Sequence, residues 1–148
     1  MPSKSIAREF LNQRRIAVVG VSRDKDDFSR LMYKKLQDTG HQVYAINPNA
    51  ESTESMRYYR SLRDLPEPVD GALVMVPAAQ SAAVVQDCQA TGIRRVWLYQ
   101  ATGQGSVSPE AVALARSAGM AVVDGACPFM FIGSFPHKIH RLFAHLEP

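Results

Sequence analysis

Apolar positions along the chain fall into short continuous runs that alternate with longer stretches of helical period. Arg15-Ile16-Ala17-Val18-Val19-Gly20 is the first run, closed by glycine, as expected of a strand buried on both faces. Phe28, Leu31, Met32 and Leu36 then recur at helical spacing, and Thr39-Gly40 supplies a stop. Gln42-Val43-Tyr44-Ala45-Ile46 reads as a second strand, halted by Asn47-Pro48-Asn49, where proline removes a backbone donor and asparagine favours turns. Residues 51–70 are polar and irregular and read as a crossover, with room for a short strand at 56–59 and a helical turn near 61–65.

The same rhythm returns twice. Gly71-Ala72-Leu73-Val74-Met75-Val76 is closed by Pro77, and residues 78–90 carry Ala82, Val85 and Cys88 on one helical face before Thr91-Gly92. Arg94-Arg95-Val96-Trp97-Leu98-Tyr99 begins another strand. Ser108-Pro109-Glu110 opens a helix, with a serine cap, a proline pre-set for the first turn and a glutamate facing the dipole. Its expected buried stripe is Ala111, Leu114, Ala115 and Ala118, and Met120-Ala121-Val122-Val123 is the last strand. A leading helix is expected at about residues 3–13 and a terminal one at about 135–146, with Phe135, Ile139, Leu142, Phe143 and Leu146 on its apolar face.

Strands alternating with helices predict an α/β fold of three layers, a doubly wound, Rossmann-like parallel sheet of about five strands flanked by helices. No linker or repeat interrupts the plan, so residues 1–148 are expected to form a single domain. Such sheets bind ligands beyond the carboxyl ends of their strands, where the strand order reverses. The loops there include Gly20-Val21-Ser22-Arg23, Asn47-Pro48-Asn49, Val76-Pro77-Ala78, Gln100-Ala101-Thr102-Gly103 and Asp124-Gly125-Ala126-Cys127-Pro128. In the first, Gly20 permits close approach of a diphosphate, Ser22 offers a hydroxyl, and the helix that follows presents free N–H groups. Arg23, Lys25 and Arg30 lie within reach of further phosphate charge.

A dinucleotide fingerprint G-x-G-x-x-G would need two more glycines than Gly20-Val21-Ser22-Arg23-Asp24-Lys25 contains. An NAD site also places an acidic residue at the end of the second strand, where this chain has Asn47. Both features weigh against an NAD(P)-binding redox or oxidoreductase domain, which stays as the alternative. A protein-interaction module with a vestigial crevice is a third.

Composition narrows the picture further. With 46% hydrophobic and 21% charged residues the chain is globular in type, and 17 basic against 14 acidic residues is too weak an excess to predict a nucleic-acid partner. No apolar run approaches the ~20 residues that span a bilayer, so no membrane association is expected. The two cysteines, Cys88 and Cys127, are too few for a disulfide framework or zinc site and suit a reducing, cytoplasmic setting. His137 and His140 lie three apart without a third ligand and read as a solvated helix face. Cys88 reads as packing, whereas Cys127 follows a strand at the ligand end and would meet a thiol or thioester there. The apolar C-terminal segment offers a surface for a homodimer.

Val18-Val19-Gly20-Val21-Ser22, Ile46-Asn47-Pro48, the stretch Ser61-Leu62-Arg63-Asp64-Leu65-Pro66-Glu67-Pro68-Val69-Asp70, and Val96-Trp97-Leu98 resemble the small coenzyme A-binding domain proteins. That fold is shared with the amino-terminal domain of the succinyl-coenzyme A ligase α subunit, and the resemblance runs from about residue 14 to 132. It implies that Gly20, Val21, Ser22 and Ser29 cradle phosphates, that Asn47 and Pro48 border the adenosine, and that Val76 and Pro77 pack against the cofactor. Gly125-Ala126-Cys127-Pro128 is similar to the ligase stretch Asn-Cys-Pro-Gly, with Ala126 and Phe129 in place of its asparagine and glycine. The family often has a basic residue two positions after the Ser29 equivalent; here Leu31 stands there and Arg30 precedes it, and ~100° of helix separates adjacent side chains. The ligase performs its chemistry with a phosphohistidine on a further domain, so the resemblance implies binding of coenzyme A or an acyl-coenzyme A without catalysis.

Overall fold

Successive residues of a strand point to opposite faces of a sheet, and β1 (Arg15–Val19) shows what that demands here. Ile16 and Val18 face one apolar layer, Ala17 and Val19 the other, and all four are buried. The same double burial holds for β2 (Gln42–Ile46), β4 (Gly71–Val74) and β5 (Arg95–Leu98), which explains why these segments read as unbroken apolar runs. In the computed structural model, which describes residues 3–132, they join β3 (Tyr58–Tyr59) and β6 (Ala121–Asp124) in one parallel sheet ordered β3-β2-β1-β4-β5-β6. The sheet thus has six strands rather than five, the addition being the two-residue edge strand β3.

One face is covered by α1 (Lys4–Leu11), α2 (Phe28–Asp38) and α5 (Phe129–Ile132); the other by α3 (Ala78–Ala90), α4 (Pro109–Ser117) and a 3-10 turn at Leu62–Asp64. Four of these starts have a local cause. Ser3, Ser61 and Ser108 cap the elements that follow them by accepting from the N–H of Ile6, Arg63 and Ala111, and Asp27 does the same for α2 through Ser29. Pro109 occupies the first turn of α4, as its pre-set φ favours.

Two stripes differ from expectation. On α2 the buried residues are Ser29, Met32 and Leu36, while Leu31 is 53% exposed and Phe28 38%. Phe28 instead meets Tyr99 and Phe129 at the carboxyl end of the sheet, with ring centroids 5.8 and 5.4 Å apart. On α3, Ser81 rather than Ala82 joins Val85 and Cys88 inside, because its hydroxyl donates to the Ser106 carbonyl at 2.6 Å. The predicted terminal helix lies outside the described residues.

Trp97 is the largest fully buried side chain. Its ring packs edge-on against Phe10 of α1 at 5.4 Å and Phe131 of α5 at 5.6 Å, and its Nε1 donates to the Ala126 carbonyl at 3.0 Å. At the opposite end of the sheet Glu67 accepts from the Tyr44 hydroxyl and Gln42 amide and pairs with Arg15 at 3.1 Å, while Asp70 accepts from the Arg15 N–H. Burial and the Glu67 contact push the Tyr44 hydroxyl up to about 12.

His41 is buried where α2 turns into β2, with Nε2 2.7 Å from the Leu11 carbonyl and Nδ1 3.1 Å from that of Leu36. Burial lowers its pKa from the usual 6.5, and the backbone contacts offset only part of the shift. The unfolded chain therefore takes the proton first, so stability is full above about pH 6.5 and declines as pH falls toward the folded-state value. Urea midpoints measured at pH 7.5 and 5.5 are expected to drop for the wild type, with a smaller drop in His41→Gln.

Candidate functional site

The strand order reverses between β1 and β4, and sheets of this kind take their ligands beyond the carboxyl ends at such a point. Gly20 follows β1 at φ +108°, a conformation unfavourable to any side chain. A Cβ there would stand 2.6 Å from the Met75 carbonyl oxygen and 3.2 Å from Val76 Cγ1. Gly20 and Val76 are thus brought together at the carboxyl ends of β1 and β4, with exposed Pro77 at the start of α3 beside them. The Gly20 and Val21 N–H groups both donate to the Ile46 carbonyl, at 2.8 and 3.3 Å, so the loop leaves the sheet in a fixed direction. Val21 is wholly buried in the core beneath the loop.

Beyond it the loop is closed on itself. The Ser22 N–H donates to Ser29 Oγ at 2.8 Å, and Ser29 Oγ donates in turn to Asp27 Oδ2 at 2.6 Å. Asp27 also accepts the Ser29 N–H at 2.9 Å, and these bonds hold its carboxyl below the usual carboxylate range. Ser29 is buried, and its hydroxyl is engaged on both sides within the chain. Ser22 Oγ accepts from the Asp24 N–H, while Arg23 and Lys25 project from the loop and are exposed.

The phase of α2 turns Arg30 toward this loop and Leu31 away from it. Arg30 Nη1 lies 3.1 Å from the Arg23 carbonyl and 3.3 Å from the Tyr58 hydroxyl, and Tyr58 donates to the Ser22 carbonyl at 2.7 Å. Edge strand β3 therefore braces the loop through Tyr58, a residue the sequence pattern did not single out. Arg23, Arg30, Asn49, Thr53, Ser55 and Tyr58 border a cleft of about 540 Å³ beyond the ends of β2 and β3.

Asn47 joins β2 to the β1 loop, its amide donating to the Val21 carbonyl at 2.9 Å and its Oδ1 accepting from the Asn49 N–H at 2.8 Å. Pro48 follows at the exposed rim. On the far side of the switch point, the Ser106 hydroxyl donates to the Val76 carbonyl at 2.5 Å and ties the β5–α4 loop to the end of β4. Cys127 is half-buried between the end of β6 and α5, preceded by Ala126 at φ +70°, whose carbonyl takes the Trp97 and Gln100 N–H groups. Burial, with Cys127 alongside, pushes the Tyr99 hydroxyl up to about 12. Phe28 completes the link, touching Tyr99 and Phe129 from the first turn of α2. Cys88 is remote from these loops on α3, and burial pushes its thiol up to about 12, as fits a packing role. Among the described residues no group of histidine, cysteine and carboxylate side chains is placed to hold a metal, and no helix is long and apolar enough to cross a membrane. His137 and His140 lie outside the described residues.

A parallel sheet covered by helices on both faces, with a reversal of strand order at its centre, defines a Rossmann-like domain. Residues 14–132 match the family described as the CoA binding domain, and the chain belongs to that family. It is 29% identical over 127 residues to the uncharacterized protein YneT of Bacillus subtilis, covering 85% of this chain and 91% of that one. It is also 29% identical over 125 residues to the α subunit of the ADP-forming acetate–CoA ligase II of Pyrococcus furiosus, covering 80% of this chain and 27% of the ligase subunit. The chain therefore spans about a quarter of that ligase subunit's length. A hypothetical protein from Pyrococcus horikoshii OT3 superposes with a TM-score of 0.77 over 96% of this chain and 92% of its own, at 23% identity, and so shares the fold.

Replacing Gly20 by alanine is expected to cost at least ~2 kcal/mol, since the backbone conformation and the Met75 carbonyl both oppose a Cβ. The melting temperature should fall by several degrees; an unchanged value would mean that the two loops can separate freely.

Proposed function

We propose that this chain binds coenzyme A or an acyl-coenzyme A in the crevice at the β1/β4 switch point, as a cofactor-binding domain without catalysis of its own. The observation that carries the reading is the close passage of Gly20 against Met75 and Val76 in a chain of the CoA binding domain family. In this reading the diphosphate approaches Gly20, Val21 and Ser22, with Arg23, Lys25 and Arg30 supplying positive charge and Ser29 shaping the loop from beneath. The adenosine lies toward Asn47 and Pro48, and Val76 and Pro77 pack against the cofactor. Cys127 stands on the side of the pantetheine arm. Residues 1–148 act as one domain in this reading, in the cytoplasm, with the apolar C-terminal segment available for a homodimer.

Asn47 supports coenzyme A over NAD(P). Its amide is committed to the Val21 carbonyl and Asn49 N–H, and it provides no carboxylate for a ribose diol. Native mass spectrometry of freshly purified protein, followed by calorimetric titration with coenzyme A, acetyl-coenzyme A, NAD and NADP, tests the proposal. Micromolar or tighter binding, about 8 kcal/mol or more, is expected for coenzyme A species alone. Preference for NAD(P) would overturn the cofactor, and binding of none would leave an interaction module.

A further inference from the structure

A diphosphate approaching the β1–α2 loop meets a negative charge that is already in place. Across residues 22–30 three basic side chains, Arg23, Lys25 and Arg30, are matched by three acidic ones, Asp24, Asp26 and Asp27, so the loop has no net charge with which to attract an anion. The three carboxylates are not placed alike. Asp24 accepts the Asp26 N–H at 2.9 Å within the loop, whereas Asp27 reaches the start of α2: its Oδ2 accepts the Ser29 N–H and the Ser29 hydroxyl, and that hydroxyl holds the Ser22 N–H. One carboxylate thus terminates a relay that consumes an amide of the β1 loop and an amide in the first turn of α2. These are the groups an incoming phosphate would otherwise engage. The other capped helices among the described residues use serine, which serves as the acceptor without bringing a charge.

We infer that Asp27 is a built-in electrostatic competitor for the phosphates of the bound cofactor, and that its carboxylate sets the affinity of the site. The inference rests on the coenzyme A reading above. Asp27 penalises each added phosphate charge near the loop, and it leaves the contacts of the uncharged pantetheine arm alone. The site accordingly holds its ligand more loosely than its geometry allows, and favours a ligand that gains further contacts away from the diphosphate.

The test is calorimetric titration of wild type, Asp27→Asn and Asp27→Ser with coenzyme A and with pantetheine, at low salt and at 0.5 M NaCl. Asparagine and serine are both good caps, so the ligand-free melting temperatures report whether the fold has been kept. Asp27→Asn and Asp27→Ser are expected to bind coenzyme A about ten-fold more tightly than wild type at low salt, with a smaller gain at high salt, where charge is screened. Pantetheine should not distinguish the three proteins. Equal or weaker coenzyme A binding by either folded variant, beside measurable binding by wild type, would overturn the inference and leave the cofactor reading intact. Failure of all three to bind would overturn both.

Discussion

The fold and the site share one constraint, the absence of a side chain at residue 20. Where β1 ends, its backbone passes so close to the end of β4 that even a methyl group would overlap the Met75 carbonyl. The connections that leave the two central strands can therefore pass to opposite faces of the sheet while their first residues stay in contact. In the proposed reading that contact is the floor of the ligand crevice. The Ser22–Ser29–Asp27 relay shapes the loop that leaves this crossing from β1, and the Ser106 anchor on Val76 fastens the β5–α4 loop to the end of β4.

The two ends of the sheet are built differently. At the amino ends, Arg15, Gln42, Tyr44, Glu67 and Asp70 form a cluster of one ion pair and several hydrogen bonds that fixes the chain's returns beneath the sheet. At the carboxyl ends the polar contacts run largely from side chain to backbone, so they set loop shape and leave charged groups such as Arg23 and Lys25 projecting outward. A stiff base with a lightly charged, pre-shaped rim suits a domain that receives a ligand.

Much of the architecture was legible because both faces of the central strands are buried, which turns them into unbroken apolar runs, and because Ser108, Pro109 and Glu110 announce a helix through local chemistry alone. The strand order was not legible, since it depends on which crossover passes over which face. Phe28 and Leu31 fit a helical period yet remain partly exposed; what Phe28 packs against comes from Tyr99 and Phe129, far away in sequence. Within the site, Gly20, Ser22 and Asn47 could be picked out from their positions at strand ends. Tyr58 could not, because β3 is two residues long and its bond to the Ser22 carbonyl joins distant parts of the chain. Ser29 entered only through the family resemblance, and the folded geometry shows that its hydroxyl is engaged by Ser22 and Asp27.

The chain has a single tryptophan, and its place beneath the rim has an optical meaning. Trp97 is shut away from water between Phe10 and Phe131, with its indole N–H on the carbonyl of Ala126, the residue immediately before Cys127. Tryptophan fluorescence from this protein, excited beyond the tyrosine absorption, therefore comes from one environment, and that environment is the underside of the connection carrying Cys127. The molecule contains its own emitter for movements of that connection, with no label required.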